Sequence, residues 1–317
     1  MNLSWQEAAA FLEARDGFLI LTHKRPDGDT IGCAVALCLG LRRLGKTAWV
    51  LTNPDATDLF DPYWGDTRAP ADFVPETVVT VDVASEGLFF STAACWKGRV
   101  DLAIDHHPSN EGFAARTCRE GDMAACGEII FKLLSGWFPL DQALALPLYL
   151  AVSTDTGCFQ YRNTSPNTHR VAAELMETGI DAAQVNLRHF RSKSRVRLLI
   201  EGRMVERAHI LDGGTLAIAS FSLADRAEFG ATDSDLEDLA GFIGQLKGVR
   251  TSVTITEVRP GECKISVRTG PELDASAVCA RLGGGGHRAA AGCTAKGSVE
   301  EAKAQILASI RAQQSGE

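Results

Sequence analysis

The sequence predicts an α/β protein with an N-terminal, mostly parallel sheet flanked by helices, a helical linker, and a smaller C-terminal α+β domain. Short apolar runs of strand length alternate with longer helical stretches through the first half. Near Ala208 the pattern changes to paired strands about Gly-Gly and Pro-Gly turns. The length, 317 residues, points to two domains, because one core seldom grows past about 250 to 300 residues. The divisions expected are 1–184, a linker over 185–207, and 208–317.

Gly17 to Leu21 reads as a buried strand and Thr30 to Leu44 as a helix stopped by Gly45. Between them Pro26 and Gly28 bend the chain tightly enough for His23, Asp27 and Asp29 to converge, which makes half of a metal site. A lone Asp there would be only a helix cap, and three candidate ligands exceed that need. Thr47 to Thr52 gives a second strand, Thr77 to Val81 a third ending at Asp82, and Val100 to Ile104 a fourth ending at Asp105, His106 and His107. Helical segments follow over Ala124 to Leu134 and Asp141 to Val152, the second running into a polar turn at Asp155. Loops at the carboxyl ends of parallel strands gather at one edge, so His23, Asp27, Asp29, Asp82, His106, His107 and Asp155 could meet there. Glu128 could face that edge, but a surface position on its helix explains it equally well.

Pro166 to Thr178 reads as a helix and Val185 to Val205 as another. Between Asp181 and Glu201 the chain carries Arg188, Arg191, Lys193, Arg195 and Arg197 with no acidic residue. That is either a solvated helix face or a positive field that steers an oligonucleotide. Beyond it, His209 to Leu211 and Thr215 to Phe221 form one hairpin, Asp233 to Leu246 a helix, and Arg250 to Val258 with Cys263 to Arg268 a second hairpin.

The net charge of −8 argues against a broad duplex-binding surface, whose affinity would come from Lys and Arg neutralising phosphates. A small anionic substrate stays compatible with it. Nine cysteines show no Cys-x-x-Cys pair, and Cys33, Cys38 and Cys126 fall in apolar helical patterns, which reads as buried reduced thiols. The amino terminus lacks the basic start of a signal peptide, and the longest apolar run, Ile31 to Leu41, is too short for a membrane span. A cytoplasmic protein with no membrane partner is expected.

His23-x3-Asp27-x-Asp29, Asp82, Asp105-His106-His107 and Asp155 together resemble the four motifs of the DHH phosphoesterase family, over roughly residues 15 to 160. That family includes single-strand exonucleases, manganese-dependent pyrophosphatases, cyclic-dinucleotide phosphodiesterases, and enzymes that degrade very short RNA and dephosphorylate 3′-phosphoadenosine 5′-phosphate. The resemblance implies two divalent ions, one held by His23, Asp27 and Asp82 and the other by Asp29, Asp82, His106 and Asp155, with Asp82 as the bridge. Mostly oxygen ligands with two imidazoles suit Mn²⁺ better than a Cys-rich zinc site or an all-oxygen calcium site. Two such ions activate water and neutralise charge in phosphate-ester hydrolysis. His107 is expected on the scissile phosphate or the leaving oxygen, and Asp105 behind a ligand histidine, orienting it.

Leu282 to Gly292 resembles the glycine-rich histidine motif of the substrate domain associated with this family. Gly284, Gly285 and Gly286 would let backbone N–H groups approach a phosphate, with His287 and Arg268 as side-chain donors. Such a clamp implies short RNA, linear dinucleotides or nucleoside bisphosphates as substrates, and a homodimer is compatible with the chain. The expected function is an oligoribonuclease-type exoribonuclease, with phosphatase activity on 3′-phosphoadenosine 5′-phosphate as a second expectation. The alternatives are a cyclic-dinucleotide phosphodiesterase, then a manganese pyrophosphatase, and, outside enzymes, a nucleotide-binding module.

Overall fold

The computed structural model describes residues 1–236 and 239–315. Its contacts divide the chain into two units, Met1–Ser192 and Lys193–Glu317. Among the described residues no helix is long and apolar enough to cross a membrane.

The first unit carries strands β1 (Asn2–Leu3), β2 (Phe18–Leu21), β3 (Ala48–Val50), β4 (Thr77–Val81), β5 (Leu102–Asp105) and β6 (Arg116–Arg119). All pairings are parallel, in the order β1-β6-β5-β4-β2-β3. Both faces are buried, as a parallel sheet requires. Phe18 and Ile20 of β2 enter one apolar cluster while Leu19 and Leu21 enter another, and Leu102 and Ile104 of β5 part from Ala103 in the same way. The helices of this unit are α1 (Trp5–Glu13), α2 (Gly28–Arg43), α3 (Asp61–Trp64), α4 (Cys126–Trp137), α5 (Gln142–Asp155), α6 (Pro166–Glu177) and α7 (Ala182–Asn186). Buried side chains of α2, α4 and α5 fill the first cluster, and Phe89, Phe90 and Ala93 fill the second.

Close helix packing depends on missing side chains. A Cβ on Gly32 would run into the Pro147 carbonyl and lie 3.0 Å from the Ala151 Cβ, so α2 and α5 approach almost backbone to backbone. A Cβ on Gly28 would collide with Thr154 in the same way. This contact joins the loop carrying Asp27 and Asp29 to the end of α5 carrying Asp155.

The second unit contains α8 (Arg195–Glu206), α9 (Leu223–Phe229), α10 (Ala275–Ala280) and α11 (Val299–Ser315). Its strands are β7 (His209–Leu211), β8 (Leu216–Phe221), β9 (Thr251–Arg259), β10 (Glu262–Thr269), β11 (Gly285–His287) and β12 (Ala290–Lys296), ordered β11-β12-β10-β9-β8-β7. Every pairing is antiparallel except β8 with β9. The two expected hairpins are therefore present, and β12 and α11 are elements that the sequence analysis does not assign.

Two expected helices take other forms. The Val185 to Val205 stretch is interrupted: α7 passes into a π-helical turn over Leu187–Arg191 before α8 begins. Its positive charge is also partly neutralised, because Lys193 and Arg197 both bond to Glu201, at 2.7 and 2.8 Å. The expected helix over Asp233 to Leu246 is instead two 3₁₀ segments, Ser234–Leu236 and Leu239–Gln245, and its residues 237 and 238 lie outside the described residues.

Gly32→Ala is expected to destabilise the chain by about 1–3 kcal/mol, the usual cost of overpacking a tight interface. A lowered urea midpoint with an unchanged slope would show it, and an unshifted midpoint would refute the close approach of α2 and α5.

Candidate active site

β5, β4 and β2 are neighbours in the sheet, and their carboxyl ends carry the His106–His107 pair, Asp82 and His23 respectively. Adjacent strands lie about 4.8 Å apart, so a side chain on the middle strand reaches both flanks. Asp82 does so. Its Oδ2 lies 3.7 Å from His23 Nε2 and its Oδ1 3.5 Å from His106 Nε2. Asp82 has φ +58°, a conformation uncommon outside glycine, while its N–H donates to Ile104 O at 2.9 Å.

The remaining groups come from helix ends. Asp27 caps α2, its Oδ1 accepting from the N–H groups of Asp29 and Thr30 at 3.1 and 3.2 Å, and lies 3.6 Å from His23 Nε2. Asp155 is the last residue of α5, not part of a turn beyond it, and its Oδ2 lies 3.4 Å from His106 Nε2. Asp29 Oδ2 is 3.9 Å from the same nitrogen. Three overlapping sets of donor atoms result among the described residues, His23 with Asp27 and Asp82, Asp29 with His106 and Asp155, and Asp82 with His106 and His107, the atoms of each set lying within 4.8 Å of one another.

Neighbouring groups fix the imidazoles. Asn53 Nδ2 donates to His23 O at 2.8 Å, and His23 Nδ1 meets Lys24 O at 2.9 Å, which turns Nε2 toward the carboxylates. His106 Nδ1 meets Met123 O at 3.1 Å to the same effect. Asp105 departs from expectation: it bonds His107 rather than His106, with Oδ1 2.8 Å from His107 Nδ1. The buried Asp105 also accepts from Asn110 Nδ2 at 2.6 Å and from His107 N–H at 3.2 Å. His107 is thereby held with Nε2 directed away from its anchor. Its Nδ1 lies 3.4 Å from Asp82 Oδ1.

Asp29 rests on groups that the sequence analysis does not assign to the site. The N–H of Cys126 donates to its Oδ2 at 2.7 Å, while the N–H of Gly127 and the Cys33 thiol donate to its Oδ1 at 2.9 and 3.2 Å. Helix α4 begins after Ala125 with no side-chain cap of its own, so Asp29 serves its first N–H groups from a distance. The sequence signal was the absence of a capping residue in Ala124-Ala125-Cys126. Burial raises the Cys126 thiol to about 11 and the Cys33 thiol well above its ordinary value, so Cys33 remains protonated and able to donate. Glu128 is buried rather than on the surface, and its Oε2 accepts from Asn167.

The carboxylates repel one another. Burial, reinforced by Asp27, raises Asp29 to about 6 against its attraction to His106. Burial and then Asp29 raise Asp155 to about 7, although its side chain keeps 29% exposure. Burial, followed by the charges of Asp29 and Asp27, raises Asp82 well above the usual carboxylate range. For His23 burial opposes the charged form, but the hydrogen bond and charge of Asp27 prevail and raise it. Asp82 Oδ1 is also buried without a hydrogen-bond partner. Converging oxygens with two oriented imidazoles and an unsatisfied central oxygen fit divalent cations.

Arg268 and His287 lie on the sheet of the second unit. Ala290 of β12 is in register with His287 of β11 on one side and Arg268 of β10 on the other, so the three side chains share a face. The glycine-rich histidine motif is mostly edge strand. Gly285 and Gly286 pair with Gly292 and Ala291, and a Cβ on Gly284 would strike Gly292 O and Cys293. Gly285, Gly286 and His287 are exposed.

Residues 17–152 match the DHH family, N-terminal domain, and residues 213–315 match the DHHA1 domain. The chain is 31% identical over 312 residues to a bifunctional oligoribonuclease and PAP phosphatase of Thermus thermophilus, covering 96% of this chain and 92% of that protein. It is 24% identical to the protein of the same description from Bacillus subtilis, over 88% of this chain and 89% of that one. An exopolyphosphatase-related protein from Bacteroides fragilis has the same fold, with a TM-score of 0.87 at 22% identity, covering 97% of this chain and 95% of that one.

Raised acid pKa values set the sign of a stability test. Asp29 and Asp155 titrate near 6 and 7 when folded, against an ordinary 3.8, so their contribution to stability is complete below about pH 4 and is lost as pH rises through 7. Without metal, Asp82→Asn is therefore expected to unfold at a higher temperature than wild type at pH 8, with the gap shrinking toward pH 5. Asn tolerates the positive φ at that position. Mn²⁺ is expected to raise the wild-type midpoint at pH 8 and leave the variant's nearly unmoved. An equal Mn²⁺ shift in both proteins would remove Asp82 from the metal site.

Proposed function

This chain belongs to the DHH family and is a metal-dependent phosphoesterase, and we propose that it hydrolyses short oligoribonucleotides or linear dinucleotides to mononucleotides, with 3′-phosphoadenosine 5′-phosphate as a further substrate. The proposal rests on Asp82, whose two oxygens face imidazoles from the two neighbouring strand ends and whose Oδ1 lacks a hydrogen-bond partner. We assign His23, Asp27 and Asp82 to one divalent ion and Asp29, Asp82, His106 and Asp155 to a second, with Mn²⁺ the ion that best suits this donor set. When bound, two such ions supply charge neutralisation at the phosphate and an activated water.

The chain's own residues then have separable tasks. Asp105 holds the Nδ1 edge of His107, leaving Nε2 to meet the phosphate or to give a proton to the leaving oxygen. The hydrogen bonds from Cys33, Cys126 and Gly127 keep Asp29 oriented. Arg268, His287 and the exposed backbone at Gly285 and Gly286 supply donors for a phosphate of the substrate, while the N–H of Gly284 is committed to Cys279 O at 2.9 Å and shapes the turn before them. The same reading places the protein in the cytoplasm, and a homodimer is compatible with it. The descriptions of the two bifunctional relatives support the choice of short RNA and 3′-phosphoadenosine 5′-phosphate.

A panel of linear dinucleotides, 3′-phosphoadenosine 5′-phosphate, cyclic dinucleotides and pyrophosphate, each with Mn²⁺ and with chelator, tests the assignment. Metal-dependent release of mononucleotides from the linear substrates is expected. His107→Ala should lower turnover by roughly 10²- to 10⁴-fold while bound metal changes little. Arg268→Ala and His287→Ala should weaken nucleotide binding with metal retained. Cleavage confined to cyclic dinucleotides or pyrophosphate would overturn the substrate class, and loss of metal in His107→Ala would make that residue a ligand.

A further inference from the structure

We propose that Tyr161 is a stacking platform for a nucleobase beside the scissile phosphate, an inference that rests on the nucleotide-hydrolysing role above. Tyr161 is 62% exposed. Its ring lies over Gly157, where an added Cβ would collide with three ring carbons. One face of the ring is thus seated on backbone, and no aromatic or hydrogen-bond partner engages the side chain among the described residues.

The loop that presents this ring is tightly held and starts at Asp155, a candidate metal ligand. Gly157, Cys158 and Phe159 have φ of +55°, +56° and +63°, a left-handed run that only the glycine adopts without strain. Hydrogen bonds maintain it. Cys158 N–H donates to Ser153 O at 2.7 Å, and the N–H groups of Gln160 and Tyr161 donate to Thr156 O at 2.9 and 3.0 Å. Phe159, between them, turns inward, 6.1 Å from the Tyr149 ring and stacked 5.4 Å from His169. Asn163 Nδ2 then fastens the loop, donating to Ala124 O at 2.9 Å and Asp155 O at 3.0 Å.

Strain in this run and the inward packing of the partly buried Phe159 leave Tyr161, two residues on, in solvent, fixed a few residues from the carboxylate cluster. A rigid exposed ring loses little conformational freedom when a flat, uncharged group covers it. In a substrate whose phosphate lies at the metal ligands, the group meeting that description is the base attached to the adjoining sugar. Base–aromatic stacking does not depend on base identity, so the platform takes any of the four bases.

The test compares a dinucleotide with the same molecule lacking one base, each position in turn, in wild type, Tyr161→Ala and Tyr161→Trp. In wild type the intact substrate should have a kcat/KM roughly 5- to 150-fold above that of one abasic form, the range for a single stacked base. Tyr161→Ala should lose most of that preference, and Tyr161→Trp should keep it. An equal preference in wild type and Tyr161→Ala at both positions would overturn the platform. If wild type cleaves neither substrate, the proposed function fails by itself, and equilibrium binding of AMP against ribose 5-phosphate decides the platform. It stands if Tyr161→Ala weakens binding of AMP more than that of ribose 5-phosphate, and it falls if both change equally.

Discussion

Mutual repulsion among four carboxylates, gathered where three parallel strands end, is the constraint on which the rest of the first unit depends. Asp27, Asp29, Asp82 and Asp155 come from three separate places in the chain, Asp27 and Asp29 sharing one loop, and two of them, Asp29 and Asp82, are almost fully buried. Such a cluster opposes folding unless protons or cations offset it. The surroundings are accordingly stiff: a buried parallel sheet below, helices joined through glycines beside it, and an anchoring hydrogen bond on each imidazole.

Function and folding are coupled at individual residues here. Asp27 caps α2 and Asp29 caps α4 across space, so two candidate metal ligands also complete helix ends. Gly28 permits the approach of Thr154 and so brings the first ligand loop against the helix that ends in Asp155. A substitution in this region therefore changes both stability and metal affinity, and the two must be measured separately.

The second unit solves a different problem. Its mixed sheet buries apolar residues against α10 and α11 and leaves the β11 edge exposed. Cross-strand register through Ala290 sets the distance between Arg268 and His287 and puts both on one face. Extended backbone and glycine provide donors there without a cluster of buried charge, so this surface needs no cation to be stable.

By itself the sequence determined the alternation of elements in the first half, the change of pattern near Ala208, and the residue types of the metal cluster. Apolar runs and turn residues are local signals, and His and Asp at strand ends have few structural roles that require such repetition. Local signals failed elsewhere for definite reasons. The run Ala290 to Lys296 forms a strand although small residues dominate it, because β10 and β11 pair with it on both sides. The Asp233 to Leu246 stretch has a helical pattern, yet Leu239–Gln245 packs against β9 as 3₁₀ turns, with Leu239 and Ile243 buried. Tertiary structure alone decided that Asp105 serves His107, that Cys33 and the start of α4 hold Asp29, and that Tyr161 stands over Gly157. Each of these pairings joins groups whose partner is set by strand order, helix approach or backbone handedness, none of which is a property of sequence spacing.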